Sequence, residues 1–340
     1  MSEITALRHQ FEKTENIVII DWGVSNICNF SCSYCPERTH AGTYPFMPIK
    51  DILRFSKRIF DHYVGELKKE VYFLYTGGEV TLFKDFIPLI RSQKQNGQRV
   101  SISTNGSRKP AFWEEAKKYL FQVSLSYHAE QTDLDHFIRV INLLKADVYT
   151  HVNIMVQPDR FDQCMAAAYR VLEETDDVTI DLQIVLKDFI EPYPYTDEQR
   201  ERIIQASREI NGRLKLKRER DSYRGLMKLV YADGSEELVK PGDLVTQKMN
   251  TWRGWNCYIG LEILVVDMNG DIYRSWCGDA EKIGNIRNRE IRFPVKPHVC
   301  GREFCSGGIT DTMVTKIKGV GDEQPGGDPT LFTVHTKGRI

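Results

Sequence analysis

The sequence predicts an α/β protein: six βα units around a parallel, barrel-like sheet, then a smaller α+β domain built on hairpins. Three observations carry this. Between residues 17 and 186, short apolar runs alternate six times with segments of helical spacing. The connections are short, which in a βα repeat implies parallel strands and right-handed crossovers. Beyond about residue 190 the alternation stops, and two hairpin signals replace it.

Each element has its own signal. Residues 17–22 (IVIIDW) are an apolar run, as expected of a strand buried on both faces. A cysteine-bearing loop follows. Residues 49–64 carry apolar residues at helical spacing, 71–75 form the second strand and 83–95 the next helix. Strands three to six fall at 100–103, 123–127, 148–156 and 178–186, with helices at 110–119, 133–145 and 160–174 between them. The 133–145 helix shows its buried face in Leu134, Phe137, Ile138, Ile141 and Leu144. After the turn-rich EPYPY stretch, residues 197–211 read as a charged, solvated helix. Residues 226–231 and 236–240 flank Ala-Asp-Gly-Ser, and 261–266 and 271–275 flank Asp-Met-Asn-Gly; both are hairpin signals. The clustered Gly, Pro and Asp of residues 320–340 predict an irregular tail packed across the barrel. The expected divisions are an N-terminal extension (1–16), the barrel (17–192), a connecting helix and hairpin (193–250), the hairpin domain (251–310) and the tail (311–340).

Composition narrows the function. Of 340 residues, 41% are hydrophobic and 27% charged, with a formal net charge of −1. No positive field draws such a chain to nucleic acid or to an anionic membrane. The first sixteen residues lack the apolar core of a signal peptide, and no apolar run reaches membrane-spanning length. A cytoplasmic protein is expected. Disulfides are then a poor account of eight cysteines, and metal binding or catalysis the better one. Three lie within residues 28–35 and four between 257 and 305. Cys164 stands alone and reads as a buried thiol on a helix.

The run Cys28-Asn-Phe-Ser-Cys32-Ser-Tyr-Cys35 puts three soft thiolates on the loop after the first strand. An iron–sulfur cluster or zinc suits them. A structural zinc site wants four protein ligands, and His40 is the only close candidate for the fourth. Three ligands to a four-iron cluster leave one iron open to a cofactor or substrate. Other polar signals fall at the following strand ends, where barrel-like sheets form their active sites. Thr76-Gly77-Gly78-Glu79 follows the second strand, Ser103-Thr104-Asn105-Gly106 the third and His128 the fourth. Ser124 and Ser126 share one face of the fourth strand. Asn153 and Gln183 are polar positions inside the fifth and sixth. For His128, Asn153 and Gln183, a ligand contact and a hydrogen-bonded structural role both stay open.

Cys-x-x-x-Cys-x-aromatic-Cys after the first strand of a βα repeat resembles the signature of radical S-adenosylmethionine (SAM) enzymes. The resemblance implies a partial (β/α)6 TIM-like barrel and a 4Fe-4S cluster on Cys28, Cys32 and Cys35. The open iron of that cluster binds the amino and carboxylate groups of SAM, and its reduction cleaves SAM to a 5′-deoxyadenosyl radical that abstracts hydrogen from substrate. It implies further that Tyr34 lies near the adenine and that Gly77, Gly78 and Glu79 meet the SAM amino group, Glu79 as its counter-charge. Ser103 and Asn105 match the family's third-strand segment, and Ser126 is the residue placed near the SAM carboxylate or ribose; Gln183, from its place inside the sixth strand, is a further candidate for cofactor contact. No catalytic residue is assigned beyond His128 as a candidate.

Cys257 and Cys277 flank the second hairpin, and Cys300 and Cys305 form a close pair after it. Four thiolates complete a second 4Fe-4S site or a zinc site; a third reading leaves one cysteine free to donate hydrogen to a substrate radical. The layout resembles the twitch module, a shortened relative of the SPASM domain, and implies an auxiliary 4Fe-4S cluster. Two spacings are longer than that family's usual ones: Gly270 to Cys277, and Cys300 to Cys305. Trp252, Trp255 and Trp276 lie near these cysteines and read as core of a small metal domain, with sugar stacking as the alternative.

The resemblance implies an enzyme that oxidises, epimerises or rearranges its substrate, with an electron donor such as flavodoxin or ferredoxin. Only about sixteen residues precede the first strand, too few for the leader-recognition domain of many peptide-modifying members. That favours a polar small-molecule, carbohydrate or nucleoside-type substrate over the alternative of a peptide maturase. A non-catalytic iron–sulfur or zinc protein for electron transfer or partner binding is the reading of another class; the Gly77-Gly78-Glu79 placement speaks against it.

Overall fold

The computed structural model describes residues 2–187, 191–217, 226–277, 281–288, 290–305, 309–319 and 331–333. The chain runs through β1 (Ile4–His9), β2 (Ile17–Gly23), α1 (Ile49–Ile59), β3 (Glu70–Thr76), α2 (Phe86–Gln95), β4 (Arg99–Thr104), α3 (Pro110–Ala116), β5 (Gln122–Tyr127), α4 (Leu134–Leu144), β6 (Tyr149–Val156), α5 (Phe161–Glu174), β7 (Val178–Ile184) and α6 (Asp197–Arg213). Short strands follow. Two compact units interleave along the sequence. One holds residues 23–49 and 74–220; the other holds 1–22, 50–73 and 221–340.

In the first of these units the second half of β3, then β4, β5, β6 and β7, lie side by side in chain order. The β4–β5, β5–β6 and β6–β7 pairs are all parallel, as the βα alternation predicts. Side chains alternate across a strand, so the sheet has two faces of different chemistry. Val123, Leu125, Val152, Ile154 and Ile180 are buried on one face, with α4 packed on β5 and β6 and α5 on β6 and β7. Burial of each such side chain contributes roughly 1.5–3 kcal/mol. The other face is polar. Ser103 pairs with Ser124, Ser124 with His151, and His151 with Thr179; one step along, Ser126 pairs with Asn153 and Asn153 with Asp181. α4 begins where the Asp133 carboxylate accepts the backbone N–H groups of Asp135 and His136, an N-cap. Cys164 is fully buried on α5, as expected.

The other unit holds two results that sequence periodicity did not foresee. The first concerns the expected N-terminal extension. Its residues form β1, which pairs antiparallel with Met227–Tyr231 on one side and Lys316–Ile317 on the other. The resulting sheet has the order Glu236–Val239, Met227–Tyr231, β1, Lys316–Ile317, Asn256–Cys257, His298–Val299. It includes the expected hairpin over residues 226–240. Leu7, Met227, Leu229, Leu244, Trp252 and Met313 form its core cluster. The second concerns the helix expected over 49–64. Regular turns stop at Ile59, and Phe60–Glu66 winds into a wider π-type turn, with the N–H of Leu67 bonded to the carbonyl of His62. Packing accounts for it: His62 stacks on Phe293 with centroids 4.3 Å apart, and Tyr63 meets the same ring edge-on at 5.5 Å.

The second expected hairpin forms between Ile263–Val266 and Asp271–Tyr273, and Ile263–Val266 also runs parallel to β2. Residues 320–330 and 334–340 of the expected tail lie outside the described residues. Leu331–Thr333 pairs with Arg292–Pro294. Among the described residues no helix is long and apolar enough to cross a membrane.

Candidate functional site

The loop after β2 is held shut by its own polar side chains. Asn26 is fully buried. Its amide donates to the Arg38 carbonyl and to Thr43 Oγ1, both at 2.9 Å, and its Oδ1 accepts the N–H of Tyr44 at 2.7 Å. Ser25 Oγ donates to the Tyr44 carbonyl at 2.8 Å. Within this closure, Cys35 N–H donates to the Cys32 carbonyl at 3.0 Å, which turns the segment back on itself. Cys28 Sγ accepts the N–H of Phe30 at 3.4 Å, and Cys35 Sγ lies 2.9 Å from Thr39 Oγ1.

Burial pushes the Cys28 thiol up, and the charges of Glu79 and Cys35 add to it. Cys32 is pushed up to about 12, first by burial, then by Cys35, Glu130 and Cys28. The three sulfurs therefore share one neighbourhood and oppose each other's ionisation; a bound metal reverses that logic. Their donor chemistry fits a soft iron–sulfur or zinc centre. Among the described residues no three His, Cys, Asp or Glu are drawn together to metal-bonding spacing. His40 Nδ1 is buried without a hydrogen-bond partner.

The expected Gly77-Gly78-Glu79 motif docks on this loop. Gly78 N–H donates to the Ser25 carbonyl at 2.8 Å and Glu79 N–H to the Ile27 carbonyl at 2.7 Å. A Cβ on Gly77 would meet the Ser25 oxygen at 2.3 Å, and one on Gly78 the Ile27 oxygen at 2.2 Å. The glycines thus admit the cysteine loop itself, while the Gly77 backbone remains exposed.

Glu79 is bound into the ends of the neighbouring strands. Its side chain is 1% exposed and faces inward. One oxygen accepts Thr81 N–H, Thr81 Oγ1 and Thr104 Oγ1 at 3.0, 2.6 and 2.7 Å; the other accepts Asn105 N–H at 2.7 Å. Burial raises its pKa and those bonds oppose the rise. A carboxylate so engaged knits the ends of β3 and β4 together. Asn105 continues the link: its Nδ2 donates to Asn29 Oδ1 at 3.0 Å, on the cysteine loop.

Tyr34 and His128 meet each other. The Tyr34 hydroxyl bonds His128 Nδ1, and the rings stack with centroids 6.0 Å apart. Burial pushes the Tyr34 phenol up and pushes His128 down to about 4. Near neutral pH the phenol keeps its proton and the imidazole is uncharged, so the two share a neutral hydrogen bond whose direction follows the imidazole tautomer. His128 is therefore a satisfied partner of the cysteine loop.

Beside it, the carboxylate of Glu130 accepts Ser33 N–H at 2.8 Å and Gln157 Nε2–H at 2.6 Å. Burial alone would raise the Glu130 carboxyl, but the Ser33 and Gln157 bonds hold it below the usual range. Sequence reasoning missed Glu130 and Gln157, which stand in turn segments with no pattern to mark them.

On the polar sheet face, Asn153 Nδ2 donates to Ser124 Oγ at 2.8 Å. His151 contacts Thr179 Oγ1 at 2.8 Å through Nδ1 and Asn153 Oδ1 at 3.0 Å through Nε2, with Asp181 3.7 Å away. Ser103, Ser126 and Gln183 are half-buried on the same face.

The second cysteine set lies in the other unit. Burial pushes Cys257 up to about 12; Lys316 opposes the rise, and Cys305 and Cys300 add to it. Cys305 is raised by burial and feels Cys277. Cys300 and Cys305 thus lie within electrostatic reach of Cys257, and Cys277 within reach of Cys305; the donor chemistry of the four fits a second thiolate centre. Trp252 is buried and Trp255 half-buried against it, edge-on at 4.9 Å, in keeping with the core reading. Trp276 departs from that reading: it is 42% exposed, and its indole N–H donates to Asp21 Oδ2 at 3.0 Å.

Known proteins resemble this chain in sequence over its first part and in fold over most of its length. A family model described as "Radical SAM superfamily" matches residues 22–141. A protein named "Probable GTP 3',8-cyclase" from Saccharolobus islandicus is 30% identical over 134 residues, covering 37% of this chain and 42% of its own. "GTP 3',8-cyclase" from Pectobacterium atrosepticum is 33% identical over 137 residues, covering 36% and 40%. The chain thus spans less than half the length of these relatives. The solved structure of native anSMEcpe with bound AdoMet shares the fold, with a TM-score of 0.52 at 17% identity over 80% of this chain and 78% of that one.

Proposed function

This chain carries a radical SAM domain in residues 22–141, and from that premise we propose that it is an enzyme that cleaves S-adenosylmethionine reductively and abstracts hydrogen from a polar, nucleoside- or carbohydrate-type substrate. The observation that carries the reading is the docking of Gly77 and Gly78 against the loop of Cys28, Cys32 and Cys35. Cys28, Cys32 and Cys35 would hold a 4Fe-4S cluster, which when bound supplies the electron for SAM cleavage. The protein's own contribution is positional. Asn26 and Ser25 close the loop, Glu130 anchors Ser33, and Tyr34 and His128 brace the aromatic position between the last two thiols. The exposed Gly77 backbone offers polar groups beside the loop, the place where a ligand amino group would be received.

The substrate class rests on the polar face of β4–β7. A barrel interior filled with Val, Ile and Leu is a packed core; this face presents hydroxyl, amide and imidazole groups, which suit a ligand rich in hydrogen-bonding groups. The cyclase relatives, named for a nucleotide, support the same class. Cys257, Cys277, Cys300 and Cys305 would hold an auxiliary 4Fe-4S cluster, and a flavodoxin or ferredoxin would supply electrons.

The experiment is anaerobic reconstitution with iron and sulfide, reduction with dithionite and assay for 5′-deoxyadenosine. We expect ~8 irons per chain from two clusters and SAM-dependent product. Intact clusters with no 5′-deoxyadenosine under strong reduction would refute the enzyme. A loading of ~4 irons with bound zinc would remove the auxiliary cluster alone.

A further inference from the structure

Lys316 is a fully buried lysine, 1% exposed. Its Nζ donates to three backbone carbonyls, those of Asp311 at 2.8 Å, Val314 at 2.9 Å and Thr312 at 3.4 Å. Among the described residues no carboxylate lies within ion-pair distance of it. A buried ammonium capped only by neutral carbonyls is costly unless an anion stands nearby. The buried Asp311 carboxyl is within electrostatic reach of Lys316, but burial pushes it up to about 7; the strand register shows what else stands there. Lys316 is the cross-strand partner of Cys257, and such partners share a face with Cβ atoms about 4.5–5.5 Å apart. Cys300 and Cys305 pack against the core cluster that contains Trp252. The Trp252 ring closes the far side, 5.9 Å from Nζ to the centroid.

We infer that Lys316 is the built-in counter-cation of the second cysteine set: a fixed positive charge that offsets the thiolates of Cys257, Cys277, Cys300 and Cys305 when they hold a metal centre. This rests on the reading that those four bind such a centre. It goes beyond that reading by making Lys316 a positioning residue that sets the centre's potential. A four-thiolate centre is an anion, and reduction adds a further negative charge, so a neighbouring cation favours the reduced form.

The test uses the full chain with the first thiols removed (C28A/C32A/C35A), so that only the second centre is read. Lys316→Gln keeps donors for the carbonyls and drops the charge; Lys316→Met drops both; Lys316→Arg keeps the charge. With iron and sulfide we expect ~4 irons per chain. Redox titration followed by electron paramagnetic resonance should then show Gln and Met shifted to more negative potential by about tenfold in the reduction equilibrium, ~59 mV for one electron, with Arg near the parent. If zinc binds in place of iron, the iron–sulfur reading fails. Lys316 is then judged by chelator competition for zinc, where both neutral variants should release it at least tenfold more readily than Arg and the parent. Loss of the centre in Gln and Met with retention in Arg also supports the inference. Equal potential or affinity in all variants, or loss of the centre in all three, overturns it and leaves Lys316 as a cap on the carbonyls.

Discussion

Ser33 donates its backbone N–H to the carboxylate of Glu130 at 2.8 Å, which ties the middle of the cysteine loop to the segment leaving β5. A bond to an ionised acceptor contributes about 1.5–3 kcal/mol. Glu130→Ala should leave overall folding intact by circular dichroism but loosen the loop. The reconstituted variant is expected to lose iron from its first centre to a chelator about tenfold faster, since ~1.4 kcal/mol is tenfold in rate. An unchanged rate of iron loss would show that the tether has no bearing on the centre.

Gly78→Ala tests the docking of the second strand end on the cysteine loop. The new Cβ would lie 2.2 Å from the Ile27 carbonyl oxygen, and backbone on both sides leaves nothing flexible to yield. Destabilisation of about 3 kcal/mol or more is expected from urea unfolding. A midpoint within experimental error of the parent would mean that the loop stands further off than the structure has it. Gly212→Ala is the control for loss of glycine alone: like Gly78 it has no positive φ, but nothing lies within 4 Å of the added Cβ.

Much of the barrel half was legible because its signals are local. The apolar spacing of Phe137, Ile138, Ile141 and Leu144 marks α4 without reference to any other segment, and the alternation in β6 is visible residue by residue. The triad of Cys28, Cys32 and Cys35 is contiguous enough to read directly. β1 was not legible, because its partners are Met227–Tyr231 and Lys316–Ile317, more than two hundred residues away; a short strand acquires its identity from what it pairs with. The inward turn of Glu79 was hidden for a similar reason. Thr104 and Asn105, which engage it, come from the next βα unit. Lys316 and Glu130 carry no motif; burial and partners alone single them out.

His128 predicts a pH dependence of the metal-free protein. Burial holds its folded pKa near 4, below the ordinary histidine value of 6.5. For a depressed group the unfolded chain binds the proton first, so stability is full above pH 6.5 and is lost as pH falls toward 4. At ~1.4 kcal/mol per unit, and discounting for partial exposure of the ring, the loss is on the order of 2 kcal/mol. Urea unfolding between pH 7 and 4 should therefore show a steeper decline for the parent than for His128→Asn. Parallel profiles would mean that His128 titrates as an ordinary exposed histidine.

The polar sheet face divides by depth, and the division predicts opposite behaviour for two of its residues. A ligand enters from the C-terminal ends of parallel strands and reaches the row of Ser126, Asn153 and Asp181 before the row of Ser124, His151 and Thr179. The deeper row is tied together: His151 bonds Thr179 and Asn153, and Asn153 bonds Ser124. Ser126 is half-buried one step nearer the mouth. Ser126→Ala should therefore weaken SAM binding to the reconstituted protein several-fold, measured by equilibrium dialysis, and leave the urea midpoint in place. His151→Ala should do the reverse, costing about 1–3 kcal/mol of stability through partners left unsatisfied while SAM affinity changes less than twofold. If His151→Ala weakens SAM binding more than Ser126→Ala does, the deeper row is the ligand surface, and the hydrogen bonds that now tie it together are the ones a ligand displaces.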